Sequence, residues 1–134
     1  PLHYLRRVWS PVGVHVLDRG LNGLRIVVTN DTPHGLRGEL RLHLLRLDGT
    51  TTGSAVVTIE CPTRSGTEHA LEALLGSFVD SSHAYRFGPP AFDIVRATFE
   101  AIDAANAPQR HEVVYLRDGL GLLPQSTLGL RAVV

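Results

Sequence analysis

Acidic side chains are the residues of this 134-residue chain best suited to acid–base chemistry, and the sequence contains 13 of them. Two carboxylates held about 5 to 9.5 Å apart in a cleft can hydrolyse a glycosidic bond. Here three glutamates alternate with apolar residues, and four aspartates occupy turn-like sequences: Glu39, Glu60 and Glu100, then Asp18, Asp31, Asp48 and Asp118. We interpret them as solvated surface charges and predict no catalytic residue in this chain.

The sequence also lacks the usual patterns for metal and nucleophile chemistry. Its seven histidines have no HExxH or close His-x-His spacing, so only ligands distant in sequence could form a metal site: His3, His15, His34, His43, His69, His83 and His111. No Gly-x-Ser-x-Gly is present. The single cysteine, Cys61, cannot form an intrachain disulfide and lies in the apolar phase of a strand, which indicates a buried thiol. We predict no metal and no cofactor.

Aromatic residues before the first strand leave two alternatives open. Tyr4 and Trp9 could pack against a neighbouring domain, or could stack on a sugar ring. Packing is the preferred interpretation. Phe87, Phe92 and Phe99 have the alternation of core residues.

Composition excludes several classes of partner. The formal net charge is zero, all 13 basic residues are scattered arginines, and no apolar run reaches the roughly 18 residues that span a bilayer. We therefore expect neither nucleic acid nor membrane as a partner. The lone thiol favours a cytoplasmic location. The chain starts at Pro1 with no Met and no signal-peptide pattern, so we expect a fragment of a larger protein.

Short alternating segments separated by turn residues predict β-strands. Valines alternate over 12–16, apolar residues over 24–28 and leucines over 38–47, where a slip at Leu44-Leu45 predicts a β-bulge. Further strands are predicted at 54–61, 111–117 and 127–134. Turns are predicted at 18–23, 30–33 and 48–50.

Two segments fit both helix and strand patterns. Leu71, Leu74 and Leu75 have helical spacing, but we favour a strand over 68–75 because the surrounding segments have strand spacing. Residues 92–101 stay open between the two. About seven antiparallel strands in one chain of this length predict an all-β, immunoglobulin-like β-sandwich over 12–134, preceded by a junction over 1–11.

Three segments resemble bacterial β-mannosidases of glycoside hydrolase family 2. Residues 4–12, YLRRVWSPV, are similar to the junction after the catalytic barrel, where the last barrel helix carries a Tyr and a basic pair. Residues 24–47 are similar to the opening strands of the sandwich domain that follows. Residues 84–93, AYRFGPPAFD, and the later Leu122-Leu123-Pro124 also resemble these enzymes.

The resemblance implies a non-catalytic accessory domain, because the family carries both catalytic glutamates on a (β/α)₈ barrel that no part of this chain matches. The implied partner is the barrel of the full-length chain, with interdomain contacts expected from Tyr4, Arg6, Arg7 and Trp9. The parent enzyme would hydrolyse terminal β-mannosides. The alternatives are a free-standing carbohydrate-binding module, for which carbohydrate is the partner, and an immunoglobulin-like interaction module.

Overall fold

A computed structural model describes residues 2–82, 88–102 and 109–119. The elements in chain order are α1 (Leu2–Val8), β1 (Val12–Asp18), a 3₁₀ turn (Gly20–Asn22), β2 (Leu24–Asn30), β3 (Leu36–Leu45), β4 (Thr51–Cys61), β5 (Ser65–Ala70), α2 (Leu71–Leu75), β6 (Ile94–Ala101) and β7 (Gln109–Leu116). Neither helix in these ranges is long and apolar enough to cross a membrane.

The seven described strands form two antiparallel sheets that pack face to face. The three-stranded sheet, called sheet A, has the order β1-β2-β5, and the four-stranded sheet B has the order β4-β3-β6-β7. The chain crosses from one sheet to the other after β2, β4 and β5, and the two-sheet arrangement is that of an immunoglobulin-like sandwich. The predicted fold class is confirmed.

Strict alternation of buried and exposed residues explains how each strand contributes one face to the core. In β2, Leu24, Ile26 and Val28 are fully buried, while the residues between them are half-exposed. The leucines of β3 repeat the pattern, and Phe99 of the central strand β6 fills the space between the sheets. Because successive side chains in a strand point to opposite faces, this period places one face of each strand in the core.

Several local predictions can be checked against the strands. The pairing of β3 with β4 shifts register between Leu44 and Leu45, so the predicted bulge is confirmed. The 48–50 turn is also confirmed, with Gly49 at a φ of 88°. Residues 92–101 are largely strand β6. The predicted strand at 127–134 and the core position of Phe87 lie outside the described residues.

The prediction of a strand over 68–75 is wrong for its second half. Strand β5 ends at Ala70, and residues 71–75 form α2, which Gly76 terminates in the left-handed region. Leu71 is completely buried, and Leu74 and Leu75 pack against the core cluster. The i, i+3, i+4 spacing of these leucines therefore determined the local structure.

Asn30, at the end of β2, joins the two sheets through its buried side chain. Its Nδ2 donates to three backbone carbonyl oxygens, those of His34 at 2.8 Å, Pro62 at 3.0 Å and Cys61 at 3.3 Å. Its Oδ1 accepts from the backbone N and the Oγ1 of Thr32. One amide thus satisfies polar groups of the β2–β3 turn and of the end of β4, which belongs to sheet B.

We expect the Asn30→Ala variant to lose about 3 kcal/mol of unfolding free energy, because it leaves several buried polar groups without a partner. Asn30→Asp should be more damaging at neutral pH than at acidic pH, since an ionised carboxylate would face three carbonyl oxygens. Urea denaturation measures both effects. Asn22→Ala, at an exposed turn position, is the control, and equal losses at both sites would contradict the role of Asn30.

Tyr115 joins the two sheets on the opposite side of the sandwich. Its hydroxyl, on β7, donates to Oδ2 of Asp18 at the end of β1 over 2.8 Å. Partial burial and the neighbouring Asp18 carboxylate raise the pKa of Tyr115 to about 12. Both factors disfavour the phenolate, so the folded protein holds this proton more tightly than the unfolded chain does.

The raised pKa of Tyr115 predicts a loss of stability at alkaline pH. The stabilisation is fully present below the unfolded pKa of about 10 and is lost as the pH rises to about 12. Absorbance titration of tyrosinate should therefore show a late-ionising tyrosine in the native protein. Tyr115→Phe should abolish that late step, and its persistence would show that another of the three tyrosines causes it.

Candidate functional site

The helix α1 carries an apolar stripe that the sandwich leaves exposed. Leu2, Leu5, Val8 and Trp9 are spaced at three- and four-residue intervals, and Val8 and Trp9 are 72% and 76% exposed. None of the four belongs to the core cluster, which begins at Val12. We call these four residues the junction stripe. Contiguous exposed apolar residues of this kind mark interaction surfaces more often than isolated ones do.

The segment after α1 is attached firmly to the sandwich. The backbone N of Asp31 donates to the carbonyl oxygen of Pro11 over 2.6 Å. The backbone N of Trp9 donates to the carbonyl oxygen of Leu5 over 2.9 Å, which closes the last turn of α1. The helix therefore leaves the sandwich at the end where β1 begins.

The predicted contact residues all lie on or just after α1. Arg6 and Trp9 are exposed. Tyr4 and Arg7 belong to the helix, but their side chains lie outside the described part of the structure. The contacts of these four residues with another domain stay a prediction.

The outer face of sheet B carries a network of ion pairs, called the charged lattice below. The ion pairs join four arginines to four glutamates: Arg37 with Glu60, Arg41 with Glu39 and Glu100, Arg96 with Glu112, and Arg110 with Glu100 and Glu112. The hydrogen bond from Arg96 holds the pKa of Glu112 below its usual value. The three glutamates interpreted as surface charges thus each face an arginine.

The outer face of sheet A has a different chemistry. Gly13, Thr29 and Gly66 form one row across its three strands, and only the middle residue has a side chain. The row forms the floor of a hollow of about 450 Å³. The rim consists of Val8, Ser10, His15, Asp31, Arg64 and Ser65. We call this site the polar hollow.

Sequence reasoning missed the polar hollow because its residues come from separate strands and turns. One signal was present, since glycine inside a strand often marks a site of close approach, and Gly13 and Gly66 are both such residues. A second signal is structural. Arg64 has a φ of 48°, a left-handed conformation that side-chain-bearing residues rarely adopt.

Two other clefts lie on the surface of the sandwich. A cleft of about 820 Å³ lies between the edge strands β1 and β7. Another of about 410 Å³ lies beside the 3₁₀ turn, where the side chains of Leu21 and Phe78 are exposed.

Across the described ranges, no group of three or more His, Cys, Asp or Glu residues is arranged to hold a metal ion. Cys61 is buried, as its strand phase indicated, and its Sγ donates to the Val28 carbonyl oxygen.

No protein-family model matches this chain, and no curated protein matches it. Among solved structures, it is similar to the transglutaminase of red sea bream, with a TM-score of 0.47 and 8% identity over 80% of this chain and 16% of that one. It is also similar to a calcium-binding mutant of beta-glucuronidase 2 from Bacteroides uniformis, with a TM-score of 0.35 and 13% identity over 79% of this chain and 13% of that one. The chain thus spans less than a fifth of either protein, and likenesses this weak carry no conclusion about function.

Proposed function

We propose that this chain is a non-catalytic accessory sandwich domain of a glycoside hydrolase, and that the parent enzyme is a β-mannosidase. The junction stripe attaches the domain to the rest of the enzyme. The family part of the proposal rests on the resemblance of residues 4–12, 24–47 and 84–93 to the β-mannosidases. The attachment rests on one observation, the exposure of the junction stripe.

The energetics favour burial of this stripe. Complete burial of one large apolar side chain stabilises a contact by about 1.5 to 3 kcal/mol. Leu2, Val8 and Trp9 are each more than two-thirds exposed, so a partner surface that covered them would gain most of this burial free energy. The sandwich core is already continuous without these residues. The stripe is therefore better explained by an external contact than by the stability of the sandwich.

The charged lattice of sheet B is less suited to attachment. Its arginines and glutamates already satisfy one another, so a partner would have to remove water from matched charges and gain few new bonds. Exposed ion pairs of this kind contribute little to stability and keep a face solvated. We therefore place the interdomain contact at the end of the sandwich that carries α1.

The attachment role predicts a contrast between the full-length enzyme and the isolated domain. Combining Leu2→Ser with Trp9→Ala should change the unfolding free energy of the 134-residue chain by less than about 0.5 kcal/mol, because both side chains are more than three-quarters exposed. In the full-length enzyme, the same pair should lower the thermal midpoint of the sandwich and uncouple its transition from that of its neighbour.

Scanning calorimetry measures both effects. The matched control is Val56→Ser, which removes an exposed apolar side chain from the outer face of sheet B. It should leave the full-length transition unchanged. A full-length enzyme whose transitions are unaffected by the double substitution would rule out attachment through α1.

The parent activity has its own test. The full-length enzyme should hydrolyse an aryl β-mannoside faster than the β-glucoside and β-glucuronide with the same leaving group, whereas the isolated chain should hydrolyse none of them. A preference for another sugar would reject the mannosidase assignment but keep a glycosidase parent. An upstream reading frame that encodes no (β/α)₈ barrel would reject both.

A further inference from the structure

We propose that the polar hollow on sheet A binds a neutral sugar ring. This inference goes beyond the accessory role and rests on the residues that line the hollow, of which only Val8 also belongs to the junction stripe. Its volume of about 450 Å³ falls in the range of small-molecule sites.

The first argument is that the charged groups at the rim have no protein partner. The arginines on the strands of both sheets form ion pairs, for example Arg25 with Glu68 and Arg96 with Glu112. In the part of the chain that the structure describes, Arg64 and Asp31 form no ion pair, with each other or with any residue. Both residues line the hollow and are exposed, so their charged groups can bind a ligand or water.

The second argument concerns the charge of the ligand. An anion would be attracted by Arg64 and repelled by Asp31, and a cation would meet the reverse. A neutral ligand with several hydroxyl groups can accept from the guanidinium and donate to the carboxylate at once. Ser10, Thr29 and Ser65 add hydroxyl groups of the same kind, and Nε2 of His15 lies 3.4 Å from the Oγ1 of Thr29.

The third argument is the shape of the floor. At Gly66 a ligand can approach the backbone of β5 closely, whereas the side chains of His15 and Thr29 occupy the space above Gly13, at 2.8 and 3.1 Å from the position of a Cβ there. A Cβ at Gly66 would meet only ordinary contacts at 3.6 Å or more, so the protein interior does not require glycine there. The open space above Gly66 is therefore a property of the surface.

The fourth argument is the conformation of Arg64. A residue with a side chain at a φ of 48° is held at an energetic cost that glycine would avoid. The backbone N of Arg64 donates to the carbonyl oxygen of Thr32 over 3.3 Å, which holds the β4–β5 turn against the β2–β3 turn. The fold thus maintains a guanidinium at the rim in a position where glycine would fit with less strain.

Titration of the 134-residue chain with mannose and with glucose, followed by amide NMR, tests the proposal. Glycine amides resonate apart from most others, so Gly13 and Gly66 report directly on the floor. We expect saturable shifts centred on Gly13, Thr29 and Gly66, with dissociation constants in the millimolar range typical of open, shallow sites.

Two variants remove the site while preserving the fold. Arg64→Gly deletes the guanidinium and relieves the left-handed conformation, and it should weaken sugar binding by about tenfold without lowering the thermal midpoint. Gly66→Thr fills the floor with a residue that strands favour, and it should abolish the shifts. Arg37→Ala, which removes an arginine from the opposite face, is the matched control and should bind as the unsubstituted chain does.

Three outcomes would overturn the proposal. They are the absence of saturable shifts with either sugar, shifts that persist in Gly66→Thr, and tighter binding of free glycine than of mannose. The last result would identify the hollow as a site for a zwitterion. None of these outcomes depends on whether α1 attaches the domain to a barrel, so the two proposals can fail separately.

Discussion

The buried amide of Asn30 is the interaction on which the arrangement of the two sheets depends. Hydrophobic contact between sheets A and B is strong but has no directional preference, so it does not by itself determine how the strand ends meet. Asn30 supplies that direction, because its Nδ2 reaches three carbonyl oxygens that only the correct placement of β2 against β4 brings together. The turns that hold the rim of the polar hollow, at Asp31 and Arg64, are positioned from this same point.

The two outer faces of the sandwich differ most at their centres, although both carry ion pairs and both are built from the same strand pattern. Sheet B presents arginines and glutamates that pair with one another, whereas in the central row of sheet A only Thr29 has a side chain. The difference follows from side-chain size. Long charged side chains can satisfy one another across neighbouring strands, and glycine leaves the surface to whatever approaches it. The charged side chains of sheet B therefore pair with one another, whereas Asp31 and Arg64 at the rim of the hollow form no ion pair with a described residue.

Alternation in the sequence predicted most of the fold, because burial of one strand face produces a period of two that is visible residue by residue. The bulge at Leu44-Leu45 was predictable for the same reason, since a break in the alternation of apolar and polar residues must appear where the strand register shifts.

The helix at 71–75 was wrongly predicted as a strand because five residues with three leucines fit both the helical and the strand period. Only their packing against the core distinguishes the two. The polar hollow was not predicted, since its residues meet only through the pairing of β1, β2 and β5 and the two strand glycines were its one signal in the sequence. The role of Asn30 was hidden as well, because Asn followed by Asp, Thr and Pro indicates a turn whether or not its amide is buried.

The connection of α1 to β1 has a mechanical consequence. β1 pairs with β2 from Val12 to Asp18, and the Pro11 carbonyl oxygen is held by the backbone N of Asp31 at the start of that pairing. Hydrogen bonds in an antiparallel ladder run perpendicular to the strands. A force applied through α1 along β1 would therefore shear every bond of the ladder at once, instead of opening them one after another. A neighbouring domain attached at this point would pull on the sandwich in the direction in which β1 resists most strongly.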